Sequence, residues 1–434
     1  MPNEPQQTLH QALSSIRSLA VSPIAPKQPI DDDDFTSACG FVTQLVTHAY
    51  RYGASLIRLQ TLMSNLPQLF GFHGVMLAAS PFFFFEFWRQ EDAQPSRVTV
   101  RQPVGSFDLS KLSQLGILVN ELTDGKLPIS EGISRLNQID SLPLPYARPV
   151  VALGYALCGA GFAVLLSAGW LDVLFAALLS LVVYAFTVTT ARSEWVSNRL
   201  NFAAAFVASV LANLLALWFP GSNPFVVSLC AVIVLVPGLA LTLGIAELSA
   251  KIVISGITRL ADGVLVTLAL VVGNAVGTSL VNALWSVPAP ADALTNPAWV
   301  TMLSIVLLMV GLAFVFQVRP PDVAWVILAG ALAYAGVTIG GQLGTWQGSF
   351  FGAFMLGFYA SLYSLLLRRP SSVVMVPGIM ILVPGVAAYF GLNLLQMNGI
   401  MGALPAVWGV ITQSTAILAG LFVAASVIRQ NSSL

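Results

Sequence analysis

The sequence predicts a polytopic α-helical membrane protein: ten transmembrane helices forming two inverted five-helix repeats, behind a small α+β cytoplasmic N-terminal domain. Three observations carry that expectation. Hydrophobic residues make up 56% of the chain and charged residues 9%, against about 25% charged in soluble proteins. Charge is crowded at one end, since residues 1–148 hold eleven of nineteen Lys+Arg, thirteen of nineteen Asp+Glu and all three His. Finally, Leu235-Val236-Pro237-Gly238 returns as Leu382-Val383-Pro384-Gly385, each inside a long apolar run.

In chain order, residues 1–34 are rich in Pro, Gln and Ser and end in Asp31 to Asp34. Like charges repel and solvate the chain, so a disordered, acidic-ended tail is expected. The first twenty residues lack the apolar core of a signal peptide, which keeps the head in the cytoplasm. Residues 35–148 read as the α+β domain. Apolar residues recur at helical spacing from Phe35 to Leu69, and Gly71 ends that helix. Segments 72–80, 82–88 and 97–104 read as strands, with Phe82 to Phe85 a buried one. Asp108 is an N-cap for a helix over 109–123, and a short helix covers 130–139. Pro143, Pro145 and Pro149 form a hinge.

Ten apolar spans follow: 149–168, 170–190, 200–219, 223–246, 259–283, 298–317, 323–342, 347–367, 372–391 and 403–428. They make membrane repeats over 149–283 and 298–428. With the head cytoplasmic, the cytoplasmic loops contain all eight basic residues after Arg148: Arg192, Arg199, Lys251, Arg259, Arg319, Arg368, Arg369 and Arg429. That is the positive-inside distribution, and it places both termini in the cytoplasm. Five spans per half make the halves inverted copies, with the fourth span of each broken at Pro-Gly.

The broken stretches match further, at seven of fourteen positions between 235–248 and 382–395. Pro removes an amide donor and Gly adds backbone freedom. Unsatisfied backbone inside a bilayer is tolerated only where protein or a water-filled cavity satisfies it, and paired broken helices mark transporter substrate sites. Proline kinks used only for packing remain the alternative. The candidate substrate-binding residues are therefore Pro237, Gly238, Thr242, Gly244, Asn274, Thr278 and Ser279 in the first half, and Pro384, Gly385 and Gly391 in the second. Small polar residues serve as helix-packing glue just as readily.

Charges within spans are few. Glu247 and Lys251 stand four apart, and Arg259 and Asp262 three apart, which sets opposite charges on one helical face. Interfacial pairs around a loop are one reading. In the other, Asp262 or Glu247 carries the coupled proton, Asp262 first because it lies further into its span.

Tyr52-Gly53-Ala54-Ser55 before Arg58-Leu59-Gln60, followed by five spans whose fourth carries Val236-Pro237-Gly238 and Glu247, resembles the threonine/serine exporter family, including its fused two-part form. The resemblance covers residues 35–428. It implies a secondary exporter of threonine and serine driven by the proton motive force, and split relatives imply small carboxylates such as succinate as an alternative substrate. Gln60 departs from the Glu common in the family.

No nucleotide-binding loop or metal-type spacing stands in the chain, and Cys39, Cys158 and Cys230 are scattered. No cofactor, metal, disulfide or nucleic-acid partner is expected, and no enzymatic activity. The partners expected are a small amino acid, protons and the bilayer of the inner membrane, with self-association left open. The rival reading is a membrane-anchored hydrolase or sensor built on Cys39, His48, His73 and Ser80 of the head.

Overall fold

A computed structural model describes residues 32–79, 81–89, 94–101, 107–190, 199–289, 296–382 and 384–427. The tail expected over 1–34 lies outside it except for Asp32 to Asp34, which open the first helix. Acidic side chains suit that position because they face the positive end of the helix dipole.

The head is an α+β layer. The single helix expected over 35–69 is two, α1 (Asp32–Arg51) and α2 (Leu56–Leu69). Gly53, at φ +105°, turns the chain between them, and the Ala54 amide reaches back to the Ala49 carbonyl at 2.9 Å. Apolar periodicity continues across this turn, which hid it. Strands β1 (His73–Ala79), β2 (Phe82–Trp88) and β3 (Ser96–Arg101) form an antiparallel meander with Leu77 opposite Phe84 and Phe84 opposite Thr99. The Phe82 to Phe85 strand is only half buried: Phe83 and Phe85 enter the core while Phe82 and Phe84 face out, as two-residue periodicity requires. Then come α3 (Leu109–Thr123), capped by the Asp108 carboxylate accepting from the Lys111 amide at 3.0 Å, and α4 (Ile129–Ser141).

The membrane body is helical throughout: α5 (Arg148–Leu165), α6 (Trp170–Thr190), α7 (Leu200–Trp218), α8 (Pro224–Ala231), α9 (Gly238–Ser249), α10 (Val253–Leu284), α11 (Ala298–Val315), α12 (Val323–Gly341), α13 (Thr345–Leu367), α14 (Ser372–Leu382) and α15 (Pro384–Val427). Among the described residues eight helices are long and apolar enough to cross a bilayer, or nine with the bent pair α8–α9 taken as one span. The count of ten is thus not reproduced. The difference lies at the end of the chain, where a loop expected over 392–402 is wound into the 44-residue α15. No proline interrupts that stretch, and its two glycines, Gly399 and Gly402, cost a helix only about 1 kcal/mol each. Yet α15 is not straight. Gln413 Nε2 donates to the Leu382 carbonyl at 3.0 Å, whereas about thirty residues of straight helix would separate them by about 45 Å. The run doubles back.

The first two helices of each half repeat their construction at an offset of 150 residues, against 147 for the tetrapeptides. Helices α5 and α11 end in the same motif, with Ser167 (φ 58°) and Gln317 (φ 54°) left-handed, and the Ala168 and Val318 amides returning to Ala163 and Ala313 carbonyls at 3.0 and 2.8 Å. Asp172 and Asp322 follow, both buried. Asp172 accepts from the Ser222 hydroxyl and the Asn223 amide, while Asp322 accepts from Tyr363 and pairs with Arg369. Each acid ties the start of the second helix to the loop before the fourth. Helices α5 and α11 also pack on each other with antiparallel register. Gly154 lies against the Gly311 carbonyl and Gly311 against that of Gly154, while Gly161 meets Ser304; any side chain at these glycines would meet backbone.

The head docks on the second half. The Leu109 and Ser110 amides, first in α3, donate to the Phe316 and Gln317 carbonyls ending α11, both at 3.0 Å, so two helices join end to end. Asn120 reaches the Arg368 carbonyl at 2.8 Å, Asp124 pairs with Arg368 at 3.1 Å, and the Arg58 guanidinium donates to the Ser371 hydroxyl. Burial lowers the Arg58 pKa to about 10, so it stays charged at neutral pH. Strand β1 also packs against α10.

Candidate functional site

At the first Val-Pro-Gly the fourth span breaks. Helix α8 ends at Ala231, a single 3-10 turn covers Ile233–Leu235, Val236 is extended, and α9 starts at Gly238, bent by 54°. Pro237, at the N-cap, offers no side-chain acceptor to α9. The Gly238 amide donates to the Val236 carbonyl at 2.9 Å, while the Leu239 and Ala240 amides, in the same first turn, have no intrahelical acceptor and face the break with positive dipole character. Helix α9 then packs against α14 and α15, the segments flanking the second break. Phe225 of α8 lies on Tyr389 of α15, ring centroids 5.9 Å apart. Both arms of the first broken span thus touch the second half.

The structure separates the expected site residues into groups. Asn274 and Thr278 of α10 join Ser209 and Asn213 of α7 and Ser228 of α8 in one buried network. Ser228 donates to Asn274 Oδ1 at 2.7 Å, Ser209 to the Asn274 carbonyl at 2.8 Å, and Asn213 Nδ2 to Thr278 Oγ1 at 3.2 Å. Ser279 points away and is exposed. The Thr242 hydroxyl is turned onto its own helix, donating to the Gly238 carbonyl at 3.0 Å. Gly244 is a packing position, its missing side chain replaced by Leu260 and the Gly256 carbonyl. Pro384 and Gly385 open α15 and Gly391 lies one to two turns in.

The charged residues pair differently from their spacing. Glu247 meets Arg259 at 3.1 Å across the α9–α10 turn and accepts from Ser255 at 2.8 Å, with Glu247 1% exposed. Lys251, at φ 62° in the turn, is exposed, and so is Asp262. Of the two candidate carboxylates, Glu247 is thus the buried one. Sequence reasoning missed Ser209, Asn213 and Ser228; Ser209 and Asn213 stand four apart on one apolar helix, which was the available signal.

Of the residues considered for a hydrolase, Ser80 lies outside the described residues and Cys39 is buried and forms no disulfide. His73 stacks on Trp88, while His48 lies beside Tyr52, whose hydroxyl donates to Asp140 at 2.6 Å. Burial lowers the His48 pKa, and the accepted Tyr52 bond lowers that of Asp140. Among the described residues no group of three His, Cys, Asp or Glu could hold a metal.

This is a many-helix membrane protein with a broken span at its centre and a domain docked on one side, an architecture suited to a transporter. The threonine/serine exporter family profile matches residues 41–281, more than half of the chain, and a second profile of that description matches 301–427. The chain belongs to the threonine/serine exporter family. It is 25% identical over 355 residues to the "Probable threonine/serine exporter" of Mycobacterium tuberculosis, covering 77% of this chain and 66% of that one. It is 26% identical over 306 residues to the "Threonine/serine exporter" of Corynebacterium glutamicum, covering 68% and 63%. A "Pheromone-regulated membrane protein 10" of Yarrowia lipolytica is 24% identical over 368 residues, covering 80% and 30%. The chain thus spans under two thirds of the length of these relatives. No solved structure matches it.

Proposed function

We propose that the protein is a secondary active exporter of small hydroxy amino acids, threonine and serine first, coupled to protons and working by alternating access in the inner membrane. The observation that carries the reading is the uncapped start of α9 at Pro237-Gly238, set against the helices flanking Pro384-Gly385. With the Gly238 amide taken by the Val236 carbonyl, the Leu239 and Ala240 amides suit a substrate carboxylate, and carbonyls of the unwound stretch suit its ammonium. Asn274 and Thr278 stand on the same side of the first half for further polar contact. Inverted repeats are supported by the antiparallel α5–α11 crossing, in which Gly154 faces Gly311 as Ser304 faces Gly161 at the shared offset of 150. A two-fold axis relating antiparallel helices turns one half upside down. The head touches the loops at 316–317 and 368–371, the same side as Arg319, Arg368 and Arg369, which supports a cytoplasmic head. Glu247, buried and paired with Arg259, replaces Asp262 as the first candidate for the coupled proton.

Counterflow of labelled threonine, serine and succinate in proteoliposomes tests the substrate. Threonine and serine should exchange; exchange of succinate alone defeats the amino acid reading. Glu247→Gln should keep exchange and lose export driven by a pH gradient, and retained driven export removes Glu247 from coupling. A cysteine at Ser286 should react with an impermeant thiol reagent from outside and one at Ser141 should not.

A further inference from the structure

The repeat sets Thr242 and Tyr389 at the same place, five residues past Pro237 and Pro384. Both carry a hydroxyl, and both are buried. Their circumstances differ. Thr242 donates to the Gly238 carbonyl one turn back, whereas Tyr389 Oη has no hydrogen-bond partner among the described residues. A phenol cannot reach its own helix carbonyl as a threonine hydroxyl does, so it must find a partner elsewhere or go without. An orphaned buried hydroxyl costs about 1–3 kcal/mol, and such a group in a native structure calls for an explanation.

Its position supplies one. Tyr389 reaches from the second half to the Phe225 ring in the first. Phe225 and Ser228 are three apart on α8, hence on one face, and Ser228 is bonded to Asn274. The tyrosine therefore touches the helix that carries Ser228 into the polar network of the first half, and it stands five residues past Pro384 of the second. We propose that the Tyr389 hydroxyl is the group that recognises the side-chain hydroxyl of the transported amino acid, and so selects hydroxy amino acids over apolar ones of equal size. This rests on the exporter reading above and adds the residue that sets its specificity. The phenol both donates and accepts, which matches an alcohol. A site built around an orphan polar group penalises an isostere lacking the hydroxyl, because the group then stays unpaired.

The test compares threonine with valine, which differ by hydroxyl against methyl, using the full chain in proteoliposomes. Wild type should exchange threonine well and valine poorly. Tyr389→Phe keeps the ring on Phe225 and should lower threonine kcat/KM by about ten- to a hundred-fold while leaving valine unchanged, collapsing the discrimination. Thermal unfolding of the solubilised variant should be unchanged or raised, since an unpaired hydroxyl has been removed. A threonine-to-valine ratio equal to wild type overturns the proposal. So does an equal loss of both substrates with a lowered unfolding temperature, which marks a structural role. Wild-type protein that moves neither amino acid defeats the exporter reading itself, and this proposal with it.

Discussion

The two Val-Pro-Gly segments begin alike and continue differently. After the first, twelve residues of α9 lead into a short turn at Lys251, and the returning α10 brings Arg259 and Ser255 onto the buried Glu247. After the second, helical winding is uninterrupted, the run doubles back far enough for Gln413 to reach Leu382, and the sequence places Leu394 and Ala406 where Glu247 and Arg259 would fall. The charge order reverses at the other repeated feature. Asp322 of the second half faces Arg369, while Asp172 of the first has a hydroxyl and an amide. One architecture has thus been given opposite electrostatics: the first half is charged in its hairpin, the second at its helix-end lock.

The largest effect should come from erasing what the halves share. Replacing Pro237-Gly238 or Pro384-Gly385 by Ala-Ala favours continuous helix by about 4 kcal/mol, about 3 from Pro and 1 from Gly. Transport per folded molecule should fall by more than about ten-fold in both, a 1.4 kcal/mol effect on the barrier. Uptake normalised to protein in the membrane measures it, and near-wild-type activity in both variants reduces the breaks to packing kinks.

Next in size is Arg259→Ala, which strands a buried carboxylate and should cost about 3–5 kcal/mol. Thermal unfolding in detergent should show it, whereas Lys251→Ala, at the exposed turn, should shift stability by less than about 0.5 kcal/mol. Equal effects would mean that Glu247 is not held as the geometry indicates. The locks sharpen the contrast between halves. Asp322→Asn leaves Arg369 without its anion and should cost about 3 kcal/mol, against about 1–2 kcal/mol for Asp172→Asn, which loses only hydrogen-bond strength. The smallest difference lies within one turn of α10: Thr278→Ala should cost about 0.6 kcal/mol through its lost interhelical bonds, and Ser279→Ala nothing measurable.

What the sequence made legible was local or compositional. The Asp108 cap and the α3 boundaries follow from one side chain reaching an amide three residues on. Apolar runs located the helices, and the tetrapeptide located the break at Pro237-Gly238; the one expected at Pro384-Gly385 falls beside Val383, outside the described residues. What stayed hidden depended on the third dimension. Glu247 was matched to Lys251 by helical spacing, but the turn at Lys251 ends the helix and delivers Arg259 from the other side. The turn at Gly53 was masked by apolar periodicity running through it. Asp172 and Asp322, 150 residues apart, passed unnoticed because their surroundings in sequence share almost nothing, although both fulfil the same tying role.

The end-to-end joint between α3 and α11 has a consequence for how the protein is made. The Leu109 and Ser110 amides wait for carbonyls at Phe316 and Gln317, about 200 residues later, which takes about 10–40 s at about 5–20 residues per second. Arg58 waits longer still, for Ser371. The head is therefore made well before the surface that completes it. Until then α3 carries an open helix end, which closes only when the end of α11 is in place.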